Sequence, residues 1–194
     1  EPLQRFKLAG QGFGNVVPPV RYRDRIAETF DPLPIWYAPF EESHTDPLAY
    51  PIHALTQRPM AMYHSWGSQN AWLRQIHGWN KLYMNRSAAE GQGLADGDAV
   101  RVESPYGSIK AVIALMEGCN GDTVWTWNAI GKKRGAWNLS ADAPESNKGF
   151  LLNHLITDLL PPKDGYRFSN TDPITGQAAW FDLRVRVIKD DDKA

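Results

Sequence analysis

The alternation of apolar and polar positions predicts a chain built mainly from short β-strands. In residues 99–104, Val100 and Val102 alternate with Arg101 and Glu103, which is the two-residue period of a strand with one buried face. Other short apolar runs are bounded by turn-forming residues. Six strands are predicted, over residues 52–56, 81–85, 99–104, 108–115, 123–127 and 180–188.

The segments between these strands contain turns and only short helices. Residues 105–107 predict a hairpin turn, and the Asp-Gly-Asp of residues 96–98 predicts a turn rather than an acid–base pair. Helices are expected to begin near Ala71, at a capping box from Ser87 to Glu90, and over residues 151–160. Many short strands with short helices favour a closed β-barrel, because closure removes exposed strand edges.

The first 50 residues differ from the rest, because proline interrupts every periodic pattern. Proline fixes φ and restricts the preceding residue to extended conformations. We therefore expect residues 1–50 to be an extended segment that packs on the barrel or on a missing domain. The barrel domain is expected to cover residues 51–189, and residues 190–194 to be a frayed charged tail. The prolines are Pro2, Pro18, Pro19, Pro32, Pro34, Pro39 and Pro47.

Composition bounds the protein class. The 194 residues, 42% hydrophobic and 22% charged, are those of an ordinary globular domain. A net charge of −1 gives no basic field for nucleic acid, and no apolar run approaches the ~20 residues that cross a bilayer. We expect no nucleic-acid partner and no membrane insertion. Because the sequence begins at Glu1 and shows no signal-peptide pattern, we expect a processed product or part of a longer chain. This start does not indicate the compartment, for which we expect the bacterial cytoplasm or periplasm, with the cytoplasm preferred.

The single cysteine limits the chemistry of the chain. Cys119 alone makes no disulfide, Cys₄ zinc site or iron–sulfur cluster, and no base is placed to make it a nucleophile. No two histidines have a zinc-like spacing. We therefore predict no metal ligands and no catalytic residues within these 194 residues.

The stretch from Thr56 to Asn70 is the strongest candidate binding loop. Backbone N–H groups at a helix start beside a glycine form an anion site, and Arg58 adds a planar bidentate donor. The alternative is a polar strand-to-helix turn that binds nothing. The candidate residues are Thr56, Arg58, His64, Ser65, Trp66, Gly67, Ser68, Gln69 and Asn70.

Three blocks of residues follow one another along the chain. They are Thr56-x-Arg58 with His64-Ser65-x-x-Ser68, then Gly93-Leu94-Ala95-Asp96-Gly97-Asp98, then Asn153-His154-Leu155 with Asp172-Pro173-Ile174-Thr175-Gly176-Gln177. Taken in order, these blocks resemble the C-terminal cofactor-binding domain of dimethyl sulfoxide reductase-type molybdopterin oxidoreductases. This family includes formate dehydrogenases, nitrate reductases and polysulfide or thiosulfate reductases. The resemblance covers about residues 52–188.

The resemblance implies a double-psi β-barrel that binds bis-molybdopterin guanine dinucleotide, with molybdenum or tungsten, held mainly by the missing part of the catalytic polypeptide. Residues 56–70 would face a pterin and pyrophosphate arm, and Asn153, Gly176 and Gln177 would lie near a pterin ring. The implied partners are the remaining domains of the catalytic subunit and an iron–sulfur electron-transfer subunit. Residues 57–66 most resemble the branch that acts on sulfite, thiosulfate or polysulfide by two-electron redox.

Two departures from the family matter. The sequence contains neither an N-terminal iron–sulfur motif nor a central molybdenum ligand, so we expect it to be the last part of a catalytic subunit, inactive alone. The alternatives are a double-psi barrel without molybdenum, either a protein-interaction adaptor or a self-processing decarboxylase-like protein. Gly67-Ser68 and Gly107-Ser108 are the candidate cleavage bonds of the latter.

The remaining candidates are histidines and tryptophans. Given the resemblance, His64 is favoured as a ligand contact, whereas His77 and His154 are expected to be structural. Trp125 and Trp127 share one face of a strand and are expected to pack in the core or on a neighbouring domain rather than on cofactor.

Overall fold

Six strands form a closed barrel in the computed structural model. They are β1 (Ile52–Gln57), β2 (Leu82–Met84), β3 (Ala99–Ser104), β4 (Gly107–Leu115), β5 (Thr123–Trp127) and β6 (Arg184–Lys189). Their order is β1–β5–β2–β4–β3–β6, and β6 returns to pair with β1. The predicted closed barrel of about six strands is confirmed. The structure describes residues 2–29, 33, 44–63, 66–128, 130–131, 140, 142–157, 159, 177–178 and 183–191.

Strand direction defines the two ends of the barrel. The pairs β1/β5 and β2/β4 are parallel, and the other neighbouring pairs are antiparallel. Strands β1, β3 and β5 therefore run in one direction and β2, β4 and β6 in the other. Gln57, Ser104 and Trp127 end their strands together at what we call the Gln57 end. The start of β1 lies at the opposite, Ile52 end.

The barrel interior is filled by the inward-facing residue of each two-residue repeat. Val100 and Val102 of β3 and Val185 of β6 are fully buried, whereas the intervening Arg186 is exposed. The predicted alternation is thus confirmed in both strands. Further fully buried apolar side chains are Leu82, Met84, Ile113 and Val124.

The N-terminal segment contains two helices, α1 (Pro2–Gly10) and α2 (Val20–Thr29). The prediction of an extended segment is therefore wrong for these ranges. Pro2 occupies a first helical position and Pro19 directly precedes α2, where the missing N–H of proline is harmless. The helices pack closely, since a Cβ on Gly10 would lie 2.9 Å from the backbone nitrogen of Ala27. No helix in the described ranges is long and apolar enough to cross a bilayer.

The short helix α4 (Arg86–Gly91) begins before the predicted capping box. Its N-cap is Asn85, whose side chain accepts from the N–H of Ala88 at 3.3 Å, so the prediction of Ser87 as N-cap is wrong. The Asn85 amide also donates to the Cys119 carbonyl at 2.8 Å. This second bond ties the cap to the barrel, which is why Asn85 begins the helix. A third helix, α3 (Ala71–Ile76), lies where it was predicted.

The predicted helix over residues 151–160 is wrong. Among the described residues of this range, 151–157 and 159, a 3₁₀ turn forms over Leu152–Leu155 and Ile156 is extended. Leu152 and Leu155 are buried three residues apart, and the Ser104 hydroxyl donates to the Leu155 carbonyl at 2.6 Å. A barrel side chain thus takes the carbonyl that a longer helix would need.

A buried amide holds the Gln57 end together. Asn80 is 1% exposed and donates from Nδ2 to the carbonyls of Trp127 at 3.0 Å and Phe150 at 3.2 Å. Its Oδ1 accepts from the Thr126 hydroxyl at 2.7 Å, and its N–H donates to the Lys148 carbonyl at 2.8 Å. One side chain therefore joins β5 to the segment that precedes β2 and to residues 148–150.

Replacing Asn80 with Ala should strongly destabilise the chain. The change leaves two carbonyls and the Thr126 hydroxyl buried without this partner, so we expect a loss of about 2–4 kcal/mol in the free energy of unfolding. Urea unfolding followed by far-UV circular dichroism measures it. The matched control is Asn120→Ala, because Asn120 is exposed. Equal stability of the two variants would contradict a structural role for Asn80.

An ion-pair cluster lies on the outer face of β3 and β6. Glu103 accepts from Arg101 Nε at 2.6 Å and from Arg186 Nη2 at 2.6 Å, and the Arg186 guanidinium lies 5.6 Å from the Tyr50 ring centre. The hydrogen bond from Arg186, followed by that from Arg101, lowers the pKa of Glu103 against the opposing effect of burial. The cluster links two strands that pair at Glu103 and Arg186.

The Glu103→Gln variant should lose about 1 kcal/mol of unfolding free energy at pH 7. Because the folded pKa of Glu103 is lowered, its stabilisation is present above the ordinary glutamate pKa and is lost as pH falls through the lowered value. Urea titrations of both proteins should therefore converge in strong acid. The control is Glu117→Gln, since the Arg86–Glu117 pair is exposed and should contribute nothing measurable. A pH-independent difference would contradict the electrostatic assignment.

Candidate functional site

The chain topology brings the described candidate segments to the Gln57 end of the barrel. The loop 58–70 leaves the end of β1 there, and the 3₁₀ turn Leu152–Leu155 contacts the β3–β4 hairpin at the same end. Gln177 is exposed, and its place at this end stays a prediction. His64, Ser65 and Gly176 lie outside the described residues. Two segments separated by about 90 positions therefore lie at the same end of the barrel.

Thr56 lies next to Gln57, at the Gln57 end of the barrel. It is level with Thr126 on the parallel strand β5, and the preceding inward residue, Ala54, is buried. Thr126 is buried and bonded to Asn80, whereas Thr56 is only half-buried. The Thr56 hydroxyl therefore lies at the Gln57 end, beside the buried hydrogen bond between Thr126 and Asn80.

Arg58 presents its charge to solvent. Its side chain is exposed, and within the described ranges it forms no ion pair, unlike the arginines around Glu103. A guanidinium in this setting carries a fixed positive charge and several N–H donors. It is therefore available to bind an anionic group at the Gln57 end.

The loop around Gly67 is internally packed. Residues Trp66–Gln69 form a 3₁₀ helix, in which Ser68 is 2% exposed and its carbonyl accepts from Arg74 Nη1 at 3.4 Å. A Cβ on Gly67 would lie 2.9 Å from Leu73 Cδ1 and 3.3 Å from Met62. A side chain at position 67 would therefore have to displace the end of the Leu73 side chain, so the loop packs closely around the glycine.

Two amides at the start of α3 are occupied by the capping residue. Asn70 is its N-cap, and Oδ1 accepts from the N–H of Trp72 at 2.9 Å and of Leu73 at 3.4 Å. The N–H of Arg74 donates to the Asn70 carbonyl. The Asn70 side chain thus occupies two of the donors on which the predicted anion site would depend, and that site stays a prediction.

Asn153 is held in place by its neighbours while its own side chain is exposed. A Cβ on Gly107 would collide with the His154 carbonyl, so the hairpin backbone lies directly against the 3₁₀ turn. The turn is capped by Leu151 without a side-chain bond, so Asn153 is not its cap. An amide with two donors and an acceptor is thereby displayed at the Gln57 end.

An aromatic groove on the outer face of the barrel was not predicted as a site. Tyr83 stacks on Trp125 with ring centres 4.1 Å apart, and Trp127 meets Trp125 edge-on at 4.9 Å. Both tryptophans face away from the barrel core, since the buried positions of β5 are Val124 and Thr126. The groove has a volume of about 510 Å³, and its other lining residues include Leu55, Gln57, Met116 and Asn120. The alternation of residues along β5 predicted that Trp125 and Trp127 share one face of the strand.

At the Ile52 end, the two described residues that were considered as catalytic candidates, Cys119 and Asp98, have structural roles. Cys119 is buried, its Sγ donates to the Thr123 carbonyl at 3.0 Å, and burial raises the pKa of the thiol. Asp98 accepts from the Ala95 N–H at 2.9 Å, and this bond, with Lys189, lowers its carboxyl pKa. In the part of the chain that the structure describes, no group of three or more His, Cys, Asp or Glu residues is placed to hold a metal ion.

The comparison with protein families identifies the domain. Residues 52–165 match the model of the molydopterin dinucleotide binding domain. The chain belongs to this family. The resemblance drawn from the three sequence blocks is thereby confirmed. The family places dinucleotide-cofactor binding on this barrel.

Two curated relatives are similar to the chain in sequence. It is 56% identical over 191 residues to one subunit of a sulfite dehydrogenase of Allochromatium vinosum, which is 97% of this chain and 20% of the relative. It is 31% identical over 83 residues to trimethylamine-N-oxide reductase 1 of Escherichia coli O157:H7, covering 40% of the chain and 10% of that protein. The domain thus spans about a fifth or less of these relatives.

A similar solved structure supports the fold alone. Acetylene hydratase from Pelobacter acetylenicus superposes with a TM-score of 0.61 at 18% identity, over 84% of this chain and 22% of that one. At this identity the shared barrel carries no inference about the reaction.

Variants of Asn70 separate its capping role from cofactor contact. Asn70→Ala should destabilise α3 by about 1 kcal/mol and speed deuterium exchange of amides 72–74, because it removes the cap. Asn70→Asp keeps the accepting oxygen and should preserve slow exchange, while removing the amide donor. Loss of cofactor from Asn70→Asp with an intact helix would show that the amide also contacts the ligand. Unchanged exchange in Asn70→Ala would contradict the cap.

Proposed function

We propose that this chain is the C-terminal domain of a molybdenum oxidoreductase catalytic subunit and closes over a bis-molybdopterin guanine dinucleotide. The carrying observation is the family match over residues 52–165. The donors at the Gln57 end fit a ligand that carries phosphate and several amide groups. Arg58 is exposed there, and the exposed Asn153 side chain does not cap the 3₁₀ turn. Thr56 adds a hydroxyl at the same end.

The proposed roles of these residues follow from their chemistry. Arg58 would neutralise a pyrophosphate oxygen, and a charge-assisted bond of this kind is stronger than a neutral one. Asn153 would both donate to and accept from a pterin edge. The same role is proposed for Gln177, and contacts to the ligand for His64, Ser65 and Gly176 stay predictions.

The proposed substrate is a sulfur oxyanion, with sulfite as the first candidate. Support comes from the 56% identity to the sulfite dehydrogenase polypeptide over nearly the whole chain. Oxidation of sulfite to sulfate takes its added oxygen from water and releases two protons and two electrons, and the bound cofactor would supply this redox chemistry by accepting the electrons. The domain contributes cofactor placement. Since that relative is named as one subunit of its enzyme, further subunits are proposed here too, with an iron–sulfur electron-transfer subunit as the acceptor.

Two side-chain replacements in the intact enzyme test the assignment. Arg58→Ala should remove a charge-assisted contact worth about 1.5–3 kcal/mol and lower cofactor retention. Asn153→Leu should lower cofactor content with little change in melting temperature, because the amide is exposed and caps nothing in the described structure. Molybdenum analysis and release of guanosine monophosphate from the purified protein are the measurements.

The control is Arg101→Ala, which removes an arginine from the outer face of β3 instead of the Gln57 end. It should retain normal cofactor content. Full occupancy in both Arg58→Ala and Asn153→Leu would exclude these residues from the site. The intact mass of the 194-residue chain distinguishes the decarboxylase alternative, since self-cleavage yields two fragments. Dye-linked sulfite oxidation should be absent from that chain and present in the intact enzyme.

A further inference from the structure

Helix α3 presents an apolar face that the described structure leaves uncovered. None of its six residues is buried. Trp72 and Ile76 are four positions apart, hence neighbours on one side of the helix, and are 78% and 65% exposed. Leu73 lies on another side, against the position of Gly67. We define the α3 face as Trp72 and Ile76.

An exposed apolar face of this kind does not stabilise a helix in water. A helix of six residues is not stable through its own hydrogen bonds, and helices in proteins are held mainly by packing of an apolar side. The Asn70 cap and Leu73 supply part of that stabilisation. The exposed side chains of Trp72 and Ile76 add nothing to it until another surface covers them.

The charges around the face favour burial by protein. Arg74 is the single charged residue of α3, and its guanidinium reaches the Ser68 carbonyl. Covering Trp72 and Ile76 therefore desolvates no ionic group of the face itself, and interface centres are typically poor in charge. Tryptophan is also among the residues most enriched at energetically dominant positions of interfaces.

We propose that the α3 face anchors this domain to the remaining part of its own catalytic subunit, seated in an apolar pocket of that polypeptide. The inference rests on the proposed function. The chain matches only 20% of the sulfite dehydrogenase polypeptide, so four-fifths of that relative lies outside the matched region. Because Asn70 joins the candidate loop directly to α3, an anchor at Trp72 also fixes the loop that would contact the cofactor.

The test uses the intact catalytic subunit with a photo-crosslinking side chain, as Trp72→p-benzoylphenylalanine. Peptide mass spectrometry should find crosslinks to residues of the same polypeptide outside the 194-residue span. The matched control is Gln92→p-benzoylphenylalanine, which places the group on an exposed residue at the C-cap of α4, at the Ile52 end. Crosslinks from position 72 mainly to a second copy or a different subunit would contradict the proposal, as would equal yields at both positions.

A second measurement covers the case in which the crosslinker variant does not accumulate. In the intact catalytic subunit, Trp72→Ser should speed deuterium exchange of the α3 amides, whereas Trp72→Phe should preserve slow exchange because the ring still fills an apolar pocket. Equal exchange in the two variants would contradict the anchor.

Cofactor content of the wild-type enzyme separates the two hypotheses. An enzyme that contains the dinucleotide but gives no crosslink from position 72 contradicts the α3 anchor alone. An enzyme without the dinucleotide contradicts the proposed function, whatever the crosslinks are.

Discussion

The seam between β1 and β6 is the contact on which the arrangement of the candidate residues depends. It consists of two paired positions, Ile52 with Val185 and His53 with Arg184, and of the bond from the Ala54 N–H to the Leu183 carbonyl at 2.9 Å. Without it, β1 and β6 would be open sheet edges. With the barrel closed, strand direction alone places the segments that follow β1, β3 and β5 at the Gln57 end. Residues distant in sequence then lie at the same end of the barrel.

Rigid contacts at the Gln57 end support the exposed donors. The Asn80 amide joins three segments, and the Ser104 hydroxyl fixes the turn that carries Asn153. Gly131, at φ +68°, meets the backbone of Gly149 so closely that neither position has room for a Cβ. Functional loops are typically positioned by such scaffolds. The buried polar groups therefore stabilise the Gln57 end, and the exposed polar groups remain available for binding.

The exposed groups at this end suit the proposed role, in which the domain closes over a cofactor together with another part of its subunit. Arg58 and Asn153 have exposed side chains that can form hydrogen bonds outward. Trp66 and Trp72 in the same stretch are exposed apolar surface. Both features suit a barrel that covers a cofactor held elsewhere, with polar contacts directed to the ligand and apolar contacts to protein.

The sequence by itself determined the strands, the turn positions and the family. These depend on local periodicity and on motifs that each span only a short stretch of residues. It did not determine which of two good capping residues begins α4, since the bond from Asn85 to the distant Cys119 carbonyl decides that. It also did not reveal Asn80, or that residues beyond Leu155 leave the helical path. Only the tertiary structure decided these features. Their hydrogen-bond partners come from other strands, and those partners are adjacent only when the barrel is closed.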